Sequence, residues 1–296
     1  MKTILLLLAA AVAVAGVGSA QSGLYWDLPT TPGNVALAAG GLAVCLEPDG
    51  LYVNPGALPE VKWRTVRASG LQWWQDIYAG SFTGVIPTKR WGVASLAFGY
   101  WSLGTMAAVT SEGEPLGNIE SQAITWGLGW GKRLYSTLNL GLQCKGYSFK
   151  MPDRRDWSWA ADVGAHYRYR FLSGSVLARN LGPKYPANNA IQFQLPTSWN
   201  IGVRGTFLGQ MAVAGVLLTA PRGEKAFASV GIEVKPVAFA SVKLGYDTDD
   251  TKPERSSLGL GLGVHRTGTQ DYSVEYGFRS YGDLGTVHAV SLGMAF

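Results

Sequence analysis

Twelve polar side chains stand out because each occupies the polar half of an alternating segment: Asn139, Gln143, Lys145, Asp162, His166, Arg168, Arg179, Arg204, Glu233, Lys243, Glu275 and Arg279. Two chemistries fit them. They could line a path for a solute, or close on one another as a hydrogen-bonded network filling a narrow interior. Charges removed from water must be paired, and here both signs are interspersed, which favours the network. Catalytic constellations are not legible. The three histidines and two cysteines lack the spacing of a zinc site, and no GxSxG elbow, HExxH pair or phosphate-binding loop occurs. A Ser–His pair for hydrolysis would need a shared face, whereas His288 and Ser291 alternate onto opposite faces. The run Gly259-Leu260-Gly261-Leu262-Gly263 resembles a dinucleotide fingerprint in composition alone, since no helix follows it. No enzyme activity, metal or cofactor is expected. The net charge of +5 is scattered along the chain and gives no support to nucleic-acid binding.

The element that positions these groups is visible in the segment WSWAADVGAHYRYR, residues 157–170. One set of alternate positions reads Trp157, Trp159, Ala161, Val163, Ala165, Tyr167, Tyr169; the other reads Ser158, Ala160, Asp162, Gly164, His166, Arg168, Arg170. A period of two is a β-strand, whose successive side chains point to opposite faces. Small aliphatics between a Trp pair and a Tyr pair match a lipid-facing strand, with amphipathic rings at the two membrane interfaces. Taken alone, the segment also fits a half-buried strand of a soluble protein. The rest of the chain decides, because the alternation continues almost to the end: Leu258, Leu260, Leu262 and Val264 oppose glycines, and Ile124, Trp126, Leu128 and Trp130 oppose Thr125, Gly127 and Gly129. Fourteen strands are predicted, at 62–70, 76–87, 91–104, 121–134, 135–150, 157–170, 171–180, 196–207, 210–220, 225–235, 239–248, 256–266, 269–280 and 285–296. Short turns alternate with longer loops at 104–120, 151–156, 181–195, 247–255 and 281–285. An even strand number with that asymmetry predicts an all-β fold, a transmembrane antiparallel barrel of the bacterial outer membrane with both termini periplasmic.

Residues 1–20 carry one Lys, an apolar run from Ile4 to Val17 and small residues Gly18-Ser19-Ala20, the pattern of a secretory signal peptide cut after Ala20. No later apolar run reaches the length of a membrane helix. Charged residues are few at 15%, while 39 Gly, 11 Trp and 13 Tyr suit a β-rich membrane protein. Cys45 and Cys144 could pair in an oxidising compartment, although Cys144 alternates onto the apolar face with Leu142. In the last strand Val290, Leu292, Met294 and Phe296 share a face. A terminal aromatic there resembles the signal read by the outer-membrane barrel-assembly machinery, which, with outer-membrane lipid, is an expected partner.

Residues 21–61 do not alternate. They contain the small-residue run Leu37-Ala38-Ala39-Gly40-Gly41, the acidic Asp49, and the turn Asn54-Pro55-Gly56-Ala57-Leu58. In these residues, and in pattern through to Phe296, the chain resembles the PorV/PorQ family, grouped with the FadL-like fourteen-stranded barrels. The resemblance implies that 21–61 form a lumenal plug ahead of a barrel at 62–296. Asn54-Pro55-Gly56 read locally is a tight turn, and interior glycines leave room for a plug to pack. The family implies a non-enzymatic, protein-handling or scaffold role, as in type IX secretion, with secretion-system or cargo proteins as partners. The alternative is a FadL-like channel for small hydrophobic solutes. Trp101, Leu103 and Met106, beside the 104–120 loop, could touch either a ligand or a partner. A mixed-charge interior argues against an apolar route, which usually has few polar groups.

Overall fold

A computed structural model describes residues 30–38, 54–73, 76–109, 115–151, 154–183, 185–186, 192–193, 195–248, 258–281 and 285–296. Predicted features at 1–20, at Ala39-Gly40-Gly41, at Cys45 and at Asp49 lie outside these residues, as does most of 21–53.

The alternation closes on itself. Fourteen strands form one barrel: β1 (Thr65–Gln72), β2 (Ile77–Thr88), β3 (Gly92–Val109), β4 (Pro115–Tyr135), β5 (Leu138–Met151), β6 (Arg154–Tyr169), β7 (Leu172–Leu181), β10 (Ser198–Phe207), β11 (Ala212–Pro221), β12 (Phe227–Val237), β13 (Ala240–Asp247), β14 (Leu258–Arg266), β15 (Asp271–Ser280) and β16 (Thr286–Ala295). Two short strands, β8 (Tyr185–Pro186) and β9 (Gln192–Phe193), pair with each other in the connection between β7 and β10. Each barrel strand is antiparallel to its neighbours, and β1 closes the ring on β16 from Thr65↔Ala295 to Gln72↔His288. Phe296 extends that closure, its N–H and C=O exchanging hydrogen bonds with Arg64 at 2.9 and 3.1 Å. Val290, Leu292 and Phe296 point outward and are exposed, while Met294 is half-buried.

Closure has a physical cause: a barrel leaves no unpaired strand edge, a requirement where no water can satisfy backbone groups. The predicted face assignment holds in β6, where Trp157 and Trp159 are 76% and 57% exposed while Asp162 and His166 are 0% and 3% exposed. Among the described residues no helix is long and apolar enough to cross a membrane. The strands supply the apolar outer surface.

The end of the barrel carrying Thr65 and Phe296 is the terminal rim, with connections at 89–91, 136–137, 170–171, 208–211, 238–239 and 267–270. Two predicted loops on the far rim are corrected. Most of 104–120 is strand, because β3 runs on to Val109 and β4 begins at Pro115. The expected loop at 151–156 shrinks to two residues, since β5 ends at Met151 and β6 starts at Arg154. Above the lipid a strand pairs through its backbone without needing an apolar face, so loss of amphipathic alternation there did not mark a strand end.

Candidate lumenal site

Two stretches of the N-terminal segment lie against inward-facing wall residues. A short helix, Pro32–Ala36, begins on a proline whose fixed φ suits the first helical position. A 3-10 helix, Pro55–Glu60, follows Asn54, whose Oδ1 accepts from Gly56 N–H at 2.8 Å as an N-cap. Asn54 Nδ2 also donates to Ala165 C=O across 3.4 Å, tying the cap to β6. The turn predicted at Asn54-Pro55-Gly56 is therefore a cap buried against the wall.

Both stretches sit where the wall has no side chains. Gly131, Gly141 and Gly164 lie side by side on β4, β5 and β6, each pair in register. A Cβ on Gly131 would come 2.8 Å from Pro55 O, and one on Gly141 would come 2.6 Å from Gly56 N. On the opposite wall, Gly245, Gly259, Gly261 and Gly277 hold the first stretch. A Cβ on Gly259 would meet Val35 O at 2.8 Å, and one on Gly277 would meet Pro32 Cα at 2.8 Å. Real Cβ contacts are not this close, so the glycines are what permits the backbone to approach. Leu58 completes the seating near the terminal rim, packing on Val85, Val93 and Ala97.

The polar residues sort into separate groups. Glu275 on β15 is shared by two cations: Arg67 Nη1 donates to its Oε2 at 3.1 Å and Lys243 Nζ at 3.0 Å. Lys243 reaches across β14 because that strand presents Gly261 and Gly263 at this level. Arg67 also approaches Ser291 Oγ at 3.5 Å. Arg279 pairs with Asp247 and lies 5.3 Å over the ring of Tyr281. Lys145 pairs with Asp162 at 2.7 Å and donates to Asn180 Oδ1 at 2.5 Å, while Asn180 N–H donates to Asp162 Oδ1 at 2.8 Å. Glu233 is buried opposite Lys243 in register and 3.8 Å from Lys235. Gln143 is buried on β5, and Arg179 and Arg204 face inward, half-buried and engaged by neighbouring groups.

Arg168 departs from the expected interior position. It stands at the terminal rim, its side chain 47% exposed, and Nη1 donates to Glu60 Oε2 at 2.7 Å. Arg133 Nη2 and Asn139 Nδ2 donate to Oε1 of the same carboxylate at 3.1 and 2.8 Å. His166 is buried one strand away, opposite Asn139. Six members of these groups, Arg67, Asp247, Asn180, Glu60, Arg133 and Lys235, were missed from sequence. Arg67 alternates with Ser69 and Leu71, and Asp247 with Lys243 and Gly245, so parity could have found both; Glu60 ends a 3-10 helix ahead of the first strand, where parity gives no guide.

Burial opposes ionisation of Glu60, but the Asn139 hydrogen bond and the Arg168 and Arg133 guanidiniums outweigh it and hold the carboxyl below its ordinary value of 4.5. A depressed carboxyl contributes stability that is complete above the ordinary value and lost as pH falls through the lower folded one. Both guanidiniums are near half exposed, so Glu60→Gln is expected to loosen the Pro55–Glu60 stretch by only roughly 0.5–1 kcal/mol. Amide exchange at 56–60 should quicken as pH drops below 4.5 in the natural chain, and should start fast and stay flat in Glu60→Gln, after correction for intrinsic rates.

Toward the far rim the interior changes character. Leu71, Trp73, Ala79, Trp101, Leu103, Ala123, Tyr281, Val287 and Ala289 form one buried apolar cluster, with Ile77 and Phe149 packed against it and Val35 of the first stretch included. Trp73 and Tyr281 are tilted rings 4.9 Å apart. The expected mixed-charge interior is thus divided by height: on β1, Leu71 lies toward the far rim and Arg67 deeper; on β15, Tyr281 lies beyond Arg279 and Glu275. Cys144 is a free thiol on the exposed outer face. Among the described residues no group of three or more His, Cys, Asp or Glu side chains could hold a metal ion.

No family model and no curated protein matches the sequence. Solved structures do match the fold. The Ralstonia pickettii toluene transporter TbuX superimposes with a TM-score of 0.62 at 12% identity, covering 90% of this chain and 97% of that one. The Pseudomonas putida toluene transporter TodX gives 0.61 at 10% identity over 91% and 98%. A Pseudomonas aeruginosa FadL homologue gives 0.57 at 9% identity over 90% and 98%. The chain is therefore similar in fold to FadL-like fourteen-stranded barrels.

Proposed function

We propose that the protein is an outer-membrane channel for small hydrophobic solutes, with the N-terminal segment closing its lumen. The observation that carries this reading is the inward apolar cluster at the far rim, built around Trp73, Trp101 and Tyr281. Barrel interiors that carry water are polar; a broad aromatic and aliphatic lining at one mouth suits a guest that leaves water. The fold likeness to two toluene transporters supports the same class of guest. Beneath the cluster, the ion pairs and the two docked stretches present a closed, charged floor. An apolar solute therefore has a place to bind before it has a way through.

The scaffold role implied by the PorV/PorQ resemblance rests on residues 37–58, most of which lie outside the described residues, and no site described here favours it. One experiment separates the readings. The purified barrel is titrated with toluene while intrinsic tryptophan fluorescence is followed, and the outer membranes it came from are crosslinked. Saturable binding is expected, and Trp101→Gln should raise Kd roughly ten- to a hundredfold, since a large apolar side chain contributes about 1.5–3 kcal/mol of contact. Absence of binding, together with a crosslinked secreted protein retained equally by Trp101→Gln, would establish the scaffold instead.

A further inference from the structure

The terminal rim carries a charge pattern that neither the closed lumen nor a solute route requires. Lys89 and Arg90 sit in the β2–β3 turn, Arg170 in the β6–β7 turn, and Arg266 at the end of β14, all exposed. Lys62 and Arg64 add two more where the chain enters β1. Among the described residues none of these six has a carboxylate within ion-pair distance. The acids nearby are spoken for: Glu60 binds Arg133 and Arg168, and Asp271 Oδ1 accepts from Gly268 N–H at 3.1 Å.

Large aromatic side chains alternate with these cations. Trp63, Trp91, Tyr169 and Phe239 are 63%, 71%, 54% and 62% exposed at the same rim. Arg90 lies 5.6 Å over the Trp91 ring and Arg170 5.4 Å over the Tyr169 ring. Such rings settle at the headgroup level of a bilayer. The cations stacked on Trp91 and Tyr169 are thereby held at the depth of the lipid phosphates.

We infer that the terminal rim is a binding ring for anionic phospholipid headgroups in the leaflet that surrounds it. The distribution selects lipid over a protein partner. The cations come from strand ends and turns in separate sectors, at β1, β2–β3, β6–β7 and β14, all on the terminal rim. A docking protein covers one sector, whereas a leaflet meets the whole circle. Attraction of basic residues to an anionic surface amounts to roughly fivefold in binding for each side chain near it, and is screened by salt.

The test uses the full-length barrel reconstituted in vesicles of phosphatidylcholine alone or mixed with phosphatidylglycerol, beside a Lys89→Gln/Arg90→Gln/Arg170→Gln/Arg266→Gln variant. These exposed positions lie outside the lumen, and heat-modifiable mobility checks that the variant folds. Mass spectrometry of the lipids retained after gentle extraction should show at least a fivefold enrichment of phosphatidylglycerol over its bulk fraction. The enrichment should fall in high salt and largely vanish in the variant. Equal retention of the two lipids by the natural protein, or undiminished enrichment in the variant, would overturn the inference.

Discussion

Replacing Glu275 with alanine should lower the stability of the folded barrel by about 3–5 kcal/mol, the usual cost of stranding buried charge. Glu275 is 2% exposed and is the shared acceptor of Arg67 and Lys243, themselves 4% and 2% exposed. Removing it takes away the buried carboxylate that Arg67 on β1 and Lys243 on β13 share. The measurement is the urea midpoint for loss of the heat-modifiable folded form in vesicles. A control, Glu224→Ala at the exposed far rim, should move the midpoint by no more than about 0.5 kcal/mol. A Glu275→Ala shift as small as the control's would show that the trio does not hold the wall together. Replacing all three charges with apolar residues of similar volume should recover most of the loss, because the penalty lies in the stranded charge and not in the absence of a bond.

The second large effect concerns closure of the lumen. Gly141→Val combined with Gly259→Val should release both docked stretches while leaving the strands paired. Each new side chain occupies space now taken by backbone, that of Pro55-Gly56 in one case and Val35-Ala36 in the other. Overpacking of this kind costs about 1–3 kcal/mol per site. The two together shift the docked population by roughly thirtyfold or more. Conductance in planar bilayers should be low for the natural protein and should rise in the double variant, as it should on deletion of residues 21–55. Gly70→Val, where an added Cβ meets nothing within 4 Å, is the control. An open-porin conductance in the unaltered protein would refute the closure.

The wall was legible in the sequence because a barrel writes its two faces into alternate residues. Trp157 and Asp162 could be assigned opposite environments without knowing what lay across from either, and all fourteen predicted strands correspond to barrel strands. What alternation does not encode is height. Leu71 and Arg67 share the inner face of one strand, but only the register with β16 and β2 shows that one belongs to an apolar mouth and the other to a buried ion cluster. The interior was therefore expected to be a uniform polar network. The 104–120 connection was misplaced for a related reason, since strands that leave the lipid keep pairing after the amphipathic signal ends. Interior glycines were read only as room for a plug to pack; the backbone that each of them faces became visible only with the N-terminal stretches in place.

The unequal strands give the molecule a front and a back. β3 and β4 run for 18 and 21 residues, and β5 and β6 for 14 and 16, whereas β13 and β14 have 8 and 9. A tilted strand needs roughly 9–11 residues to cross a bilayer. β3 to β6 exceed that length and rise past the apolar band as a palisade. With the far rim outward, as the sequence predicts, an antibody or a phage tail would meet the paired ends of β3 and β4 as a rigid surface. A solute drifting in the plane of the headgroups would meet a screen along that sector.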